Sequence, residues 1–290
     1  MKVGVVGVGI MGSAIAGNLL RKGAAVTGFD IDASRLTDLA KAGGTPTRSA
    51  AEVAADAEIV LTSLPSAVAL DATVASLLQK PHRGLVVAEL STLPIAVKVG
   101  ARDRLAAAGV VLLDCPLSGT GAQAQTGDLA VYASGERAAY DRALPVFEKF
   151  ARVSHYLGVF GNGSKMKFVA NLLVAIHNVA SAEAMVLGKK AGLDPAEVAR
   201  VIASGAGTSK VFELRAPLMV EGRYAPPTMK IDIWQKDMAV IADYAASLGV
   251  ETPLFTSSIA VYNAAQTEGH GGEDTAAVCA VLERTAGLAR

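Results

Sequence analysis

Disulfides, metal clusters and a dominant charge are all missing from this 290-residue chain. Its two cysteines, Cys115 and Cys279, form neither a disulfide framework nor a spaced metal motif, and a reducing cytoplasm suits them. The four histidines, His82, His155, His177 and His270, are scattered without ligand spacing, so no metal is expected. Twenty-seven basic residues balance 27 acidic ones, which leaves no field to draw nucleic acid or an anionic membrane. Long apolar runs are also lacking. The stretch Phe168–Ile176 is interrupted by Asn171 and followed by His177, which reads as too short and too polar to span a bilayer. Met1-Lys2 leads at once into a short apolar run ending in glycine, a buried strand rather than a secretion signal.

What the chain does have is apolar mass. Hydrophobic residues make up 51% of it, enough for one or two well-buried domains. The first half alternates apolar strands and helices: strand Val3–Val6, helix Ser13–Lys22, strand Ala25–Phe29 and helix Ala33–Ala42. A weaker strand near Thr45–Thr47 and a short helix from Ser49 follow, then strands Ile59–Leu64 and Leu85–Glu89, helix Pro94–Ala108 and strands Val110–Asp114 and Asp128–Ala133. This rhythm predicts an α/β fold, a doubly wound and largely parallel sheet. After Gly163 the pattern becomes helical, with one long helix over Ser164–Ala191 closed by Gly192. The expectation is a dinucleotide-binding domain over 1–162 and an all-α domain over 163–290, joined by that long interdomain helix. The Gly269–Gly272 stretch reads as a mobile loop.

Gly7-Val8-Gly9-Ile10-Met11-Gly12 follows the first strand and opens the first helix. Gly7 suits a tight turn, Gly9 lets a pyrophosphate approach the backbone, and Gly12 allows helix and strand to touch. The phosphates would rest on free N–H groups at the helix start, those of Ile10, Met11 and Gly12. The second strand ends at Asp30, where a carboxylate can accept the adenosine ribose hydroxyls and repel a 2′-phosphate. NAD(H) is therefore favoured, while the nearby Arg35 leaves NADP(H) open.

Four separated motifs extend this reading, and together they resemble the β-hydroxyacid dehydrogenases, the family of 3-hydroxyisobutyrate dehydrogenase and tartronate semialdehyde reductase. The first is the glycine turn, with its helix ending Gly17-Asn18-Leu19-Leu20. The second is Asp114-Cys115-Pro116-Leu117-Ser118-Gly119 followed by Gly127. The third is Gly161-Asn162-Gly163 with Lys167 and Asn171, and the fourth is Lys236-Asp237-Met238. The resemblance covers nearly the whole chain and implies an N-terminal Rossmann domain with a helical substrate and oligomerisation domain. It departs from the family at Thr120, where a second glycine is usual, and at Ala170, where an asparagine is usual.

The resemblance also implies roles. Lys167 becomes the general acid for a carbonyl reduced to an alkoxide, and the base in the reverse direction. Taken alone, it reads equally as a solvated lysine. Asn171, at i+4 on the same helix face, would orient the lysine or the substrate. Ser118, with the Gly119 and Thr120 amides, is implied to bind the substrate carboxylate. Leu64-Pro65 and Ser91-Thr92 resemble cofactor-contacting turns, although either could simply cap the next helix. Lys236 is implied to close over cofactor or substrate.

The function expected is hydride transfer between NAD(P)(H) and a short hydroxy acid or its semialdehyde or oxo acid. Imine reductases and 6-phosphogluconate-type enzymes share the architecture, and a non-catalytic dinucleotide-binding regulator is the alternative of another class. Retention of Lys167 and Asn171 argues against the regulator. The implied setting is a cytoplasmic homodimer or homotetramer with no nucleic-acid or membrane partner.

Overall fold

In the computed structural model, residues 2–288 are described. The chain divides into two compact units, Met1–Lys167 and Phe168–Arg290. The first unit runs β1 (Lys2–Val6), α1 (Ile10–Arg21), β2 (Ala25–Phe29), α2 (Ala33–Lys41), β3 (Thr45–Pro46), α3 (Ala50–Asp56), β4 (Ile59–Thr62), α4 (Ala67–Leu77), β5 (Val86–Glu89), α5 (Ile95–Ala107) and β6 (Val111–Asp114). There follow β7 (Leu117–Ser118), α6 (Gly121–Thr126), β8 (Ala130–Ala133), α7 (Arg137–Phe150) and β9 (Val153–Tyr156).

Six strands form a wholly parallel sheet in the order β3-β2-β1-β4-β5-β6. The order reverses beside β1, so the crevice for a ligand opens at the carboxyl ends of β1 and β4. β1, β4 and β5 are buried almost throughout, which explains why their residues are mostly apolar with no polar alternation. One face of the sheet packs on α1 and α7 through Val3, Val5, Ile15, Leu19, Val146 and Phe147. The other packs on α3, α4 and α5 through Val53, Val60, Leu70, Val74 and Leu105.

The segment after β6 differs from the sequence reading. The strand expected at Asp128–Ala133 begins at Ala130 and belongs to a second sheet, in which β8 pairs antiparallel with β7 and parallel with β9. Helices α4, α6 and α7 and strands β7 and β9 carried no clear periodic signal. β7 is two residues long, α6 is six, and α7 contains Pro145.

The second unit is helical, as expected: α8 (Asn162–Lys190) enters it and is followed by α9 (Pro195–Ala203), α10 (Lys210–Glu221), α11 (Ile231–Ser247), α12 (Pro253–Thr267) and α13 (Val278–Thr285). At 29 residues α8 matches the long helix expected over Ser164–Ala191 to within two residues at either end; contrary to the reading of its apolar stretch as too short and too polar, by length and composition alone it could cross a membrane. Two of its buried amides, those of Asn171 and Asn178, bond to the second unit. Asn178 donates from Nδ2 to Tyr262 Oη and to the Thr275 carbonyl, both at 2.8 Å, the pattern of a core helix. The expected mobile loop at 269–272 is in fact a turn of 3₁₀ helix. Gly271 is buried there, and a Cβ on it would come within 2.4 Å of Asp232 Oδ1. The turn leads to Asp274, whose buried carboxylate accepts from Arg215, the Thr228 N–H and Ala276 N–H.

Candidate active site

The glycine turn has the geometry its spacing predicts. Gly7 sits at φ +85°, and a Cβ there would lie 2.2 Å from the Ser63 carbonyl oxygen. At Gly12 a Cβ would lie 1.9 Å from the Gly7 oxygen, so helix and strand touch directly. Gly9 caps α1 with no side-chain oxygen, which leaves the first-turn N–H groups of Ile10, Met11 and Gly12 to be met by something other than a cap. A bare helix N-terminus edged by glycine is what a pyrophosphate requires, and these residues fit a dinucleotide.

Asp30 directly follows β2 and is buried. Its Oδ2 accepts the Val8 N–H at 2.8 Å and its Oδ1 accepts the Asp32 N–H at 3.0 Å, so it also ties down the glycine turn, a task the sequence did not reveal. Arg35 leans over Gly9, 3.4 Å from Asp30 Oδ2 and 3.4 Å from Asp32 Oδ2, and lines a cleft of about 300 Å³ with Val8, Ser13 and Asp38. Asp32 caps α2, and its hydrogen bonds from Ser34 hold its carboxyl below the usual range. The turns at Leu64-Pro65 and Ser91-Thr92 meet: the Leu64 N–H donates to Ser91 Oγ at 2.8 Å.

The segment from Asp114 to Gly127 is built around α6. Ser118 lies in β7, paired with Ala130, and Gly119 adopts φ +133° where a Cβ would strike Leu129. Thr120 has a role that its departure from the family pattern did not suggest. Its hydroxyl accepts the Gln123 N–H, and Gln123 Oε1 accepts the Thr120 N–H at 3.0 Å, a complete capping box. The Thr120 hydroxyl and amide are therefore both engaged within the loop. Asn18 and Arg21 of α1 hold α6 in place, donating to the carbonyls of Ala124 at 2.7 Å and Gln125 at 2.9 Å.

The third motif sets the start of α8. Gly161 stands at φ +96°, and a Cβ on Gly163 would lie 2.2 Å from the Tyr132 oxygen and 2.7 Å from the Asp114 oxygen. The first turn of α8 thus presses directly onto β6 and β8. Asp114 caps it: Oδ2 accepts the Ser164 N–H and Oδ1 accepts the Ser164 hydroxyl, both at 2.7 Å. Lys167 follows one turn later, partly buried, whereas Lys165 is exposed beside Asn162.

Behind these segments lies a group that the motifs do not mention. Lys98 of α5 is wholly buried between Glu89 and Asp114, with Nζ 2.6 Å from Glu89 Oε2 and 2.9 Å from Asp114 Oδ1, and it donates to the Ser91 carbonyl at 2.7 Å. Burial by itself lowers its pKa. The charges of Glu89 and Asp114 and the hydrogen bonds to both outweigh burial and hold the ammonium above the ordinary lysine range. Cys115 is buried next to it; burial first, and the Asp114 charge second, push its thiol well up. The one available signal was spacing: Lys98, Ala101 and Leu105 share a buried helix face.

In the second unit Asn171 is buried and donates to Asp237 Oδ2 at 3.2 Å, while Lys236 Nζ lies 3.0 Å from Asp237 Oδ1. The fourth motif therefore supplies an acceptor, Asp237, that orients both Asn171 and Lys236. Phe168 and Tyr244 pack α8 on α11, with ring centroids 5.2 Å apart. No group of three or more His, Cys, Asp or Glu side chains among the described residues is placed to hold a metal ion.

Residues 2–158 match the family described as the NAD binding domain of 6-phosphogluconate dehydrogenase, and residues 161–282 that described as NAD-binding of NADP-dependent 3-hydroxyisobutyrate dehydrogenase. The chain is 36% identical over 286 residues to the L-threonate dehydrogenase of Cupriavidus necator, covering 97% of this chain and 95% of that protein. Among solved structures, 3-hydroxyisobutyrate dehydrogenase from Salmonella typhimurium superposes with a TM-score of 0.86 at 30% identity over 97% of this chain and 99% of its own. The Mycobacterium tuberculosis 3-hydroxyisobutyrate dehydrogenase with L-serine gives 0.88 at 26% identity over 97% and 98%. The chain belongs to the β-hydroxyacid dehydrogenase family. It is an NAD(P)-dependent oxidoreductase that transfers a hydride between the dinucleotide and a short hydroxy acid or its oxo form.

Proposed function

We propose that the protein oxidises a short polyhydroxylated acid of the threonate type with NAD(H), using Lys167 as general base in that direction and general acid in the other. The observation that carries the reading is the α8 pair: Lys167 and Asn171 lie one turn apart on one helix, with the Asn171 amide fixed by Asp237 and the helix start capped by Asp114. An amine near the substrate hydroxyl takes its proton as the alkoxide's hydride leaves, and the ammonium so formed stabilises the charge in reverse. The dinucleotide, when bound on Gly7, Gly9, Ile10, Met11 and Gly12 and against the Leu64-Pro65 and Ser91-Thr92 turns, supplies hydride acceptance. Ser118 and Gly119 receive the carboxylate; Thr120 serves by shaping α6 and not by direct contact. Asn171 orients the substrate or Lys167, and Lys236 closes the site.

Threonate is preferred over other acids because of the similarity to the Cupriavidus enzyme. NAD is preferred over NADP because Asp30, directly after β2, has its carboxylate where a 2′-phosphate would sit. This reading uses a division at 162/163 into a dinucleotide domain and a helical domain for substrate and assembly, in a cytoplasmic homo-oligomer without nucleic-acid or membrane partners.

The test is turnover of a panel of hydroxy and oxo acids, including L-threonate, 3-hydroxyisobutyrate, glyoxylate and succinic semialdehyde, with both cofactors. L-Threonate with NAD⁺ should give the highest kcat/KM, and Lys167→Ala should lower kcat by about 10²–10⁴-fold. Unchanged kcat in Lys167→Ala would remove that residue from catalysis, and tighter NADPH than NADH binding would overturn the assignment of Asp30.

A further inference from the structure

The buried ammonium of Lys98 is unusual by its placement. Charged side chains are rarely fully buried unless every proton finds an acceptor, because desolvating an ammonium costs several kcal/mol. Lys98 meets that condition. Its Nζ forms an ion pair with the acceptor Glu89 Oε2 at 2.6 Å and donates to two further acceptors, Asp114 Oδ1 and the Ser91 carbonyl. Those acceptors belong to the two strand ends, β5 and β6, and to the turn between β5 and α5.

Each acceptor also leads on to a segment of the site. Glu89 Oε1 accepts the Ser91 N–H at 2.9 Å, and Ser91 Oγ accepts the Leu64 N–H, so both cofactor-side turns hang from this group. Asp114 immediately precedes the Cys115–Gly119 segment. Its carboxylate also receives the Ser164 N–H and hydroxyl, and the Ser134 hydroxyl at 3.3 Å, while Ser134 Oγ accepts the Gly163 N–H at 2.9 Å. No glycine-spacing rule or charge count requires this arrangement. Apolar residues in place of the whole Lys98–Glu89–Asp114 cluster would fill the same space with less desolvation, so stability alone does not account for a buried ion cluster here, whereas removing Lys98 alone leaves two buried carboxylates without their counter-ion.

We propose that Lys98 is the positioning residue of the hydride-transfer site. Through Ser91 it holds the cofactor-side turn, and through Asp114 and Ser164 it seats the first turn of α8, and so Lys167, in register with the substrate segment. The proposal rests on the reading of Lys167 as the proton-transferring group. Rigid seating matters because a catalytic group displaced by about 1 Å can lose on the order of 10²-fold in rate.

The links can be cut separately. Ser164→Ala removes only the hydroxyl between Asp114 and α8. It should lower kcat about tenfold, with substrate KM and NADH Kd within threefold and Tm nearly unchanged, and Ser164→Thr, which restores the hydroxyl, should recover most of the loss. Lys98→Met removes all three bonds. It should weaken NADH binding at least tenfold, measured by cofactor fluorescence, and speed hydrogen exchange at the amides of residues 164–167. Wild-type kcat in Ser164→Ala, or wild-type NADH affinity and exchange in Lys98→Met, would overturn the proposal. If Lys98→Met does not fold, the split between kcat and KM in Ser164→Ala decides. If the wild-type protein turns over no hydroxy acid, the functional reading fails, and the cofactor affinity and exchange of Lys98→Met still judge the positioning role.

Discussion

At the residue scale the site depends on atoms that are absent. Gly12 has no Cβ because one would lie 1.9 Å from the Gly7 carbonyl oxygen, inside any tolerable contact. Gly12→Ala must therefore open the turn, and NADH affinity should fall at least tenfold in a fluorescence titration, with a lower Tm. Cys115 is a quieter case. Its thiol is fully buried and pushed up by that burial, and the thiolate is the form that reacts. Cys279 is buried as well. A disulfide reagent should label neither cysteine of the native protein within minutes and both after denaturation; rapid labelling of the native protein would contradict the burial of Cys115.

At the element scale, short helices are placed by longer ones. α6 has only six residues and cannot be stable alone. It is secured by its capping box and by Asn18, which reaches from α1 to the Ala124 carbonyl. Asn18→Ala removes one of two donors to that carbonyl, the Gly127 N–H at 3.2 Å remaining, and should cost about 1 kcal/mol. In a chain of this size that is a fall in Tm of about 2–4 °C per kcal/mol. Substrate KM should rise with NADH Kd unchanged, because α6 follows the Ser118–Gly119 segment. The loss of Tm is read by calorimetry and the KM change by steady-state assay.

At the scale of the whole molecule, the second unit shows apolar surface in a regular array. Leu173, Ala180 and Leu187 are exposed at seven-residue intervals along α8, Leu187 to 72%. Exposed leucines scattered singly are ordinary, but a stripe at helical spacing reads as a surface for another helix. A homodimer or homotetramer is accordingly expected in sedimentation at micromolar concentration. Leu173→Glu with Leu187→Glu should shift the protein toward its 29.6 kDa monomer. A wild-type protein that sediments as a monomer would refute the assembly.

Local patterns were enough for the large elements. The mostly apolar stretches of β1, β4 and β5 and the glycine spacing after β1 announce a parallel sheet and its nucleotide turn, because burial on both faces and a Cβ-free approach impose them on any such chain. Lys167, Asn171 and Ser118 were singled out differently, through the short motifs that carry the family resemblance. The second sheet was not legible, because β7 and β9 are too short to show a period and form only where β8 brings them together. Thr120's cap did carry a local signal, the T-x-x-Q spacing of a capping box with Gln123. Lys98 is the clearest limit: in sequence it is one lysine on a helix, and only the juxtaposition of Glu89, Ser91 and Asp114 makes it an ion that the core can hold. Sequence by itself determined the class of fold and the glycine turn, since each follows from local periodicity or spacing, and it pointed to Lys167 only through the family resemblance. Tertiary structure alone decided which distant polar groups meet, because the free energy of a buried charge is set by its neighbours in space and not in the chain.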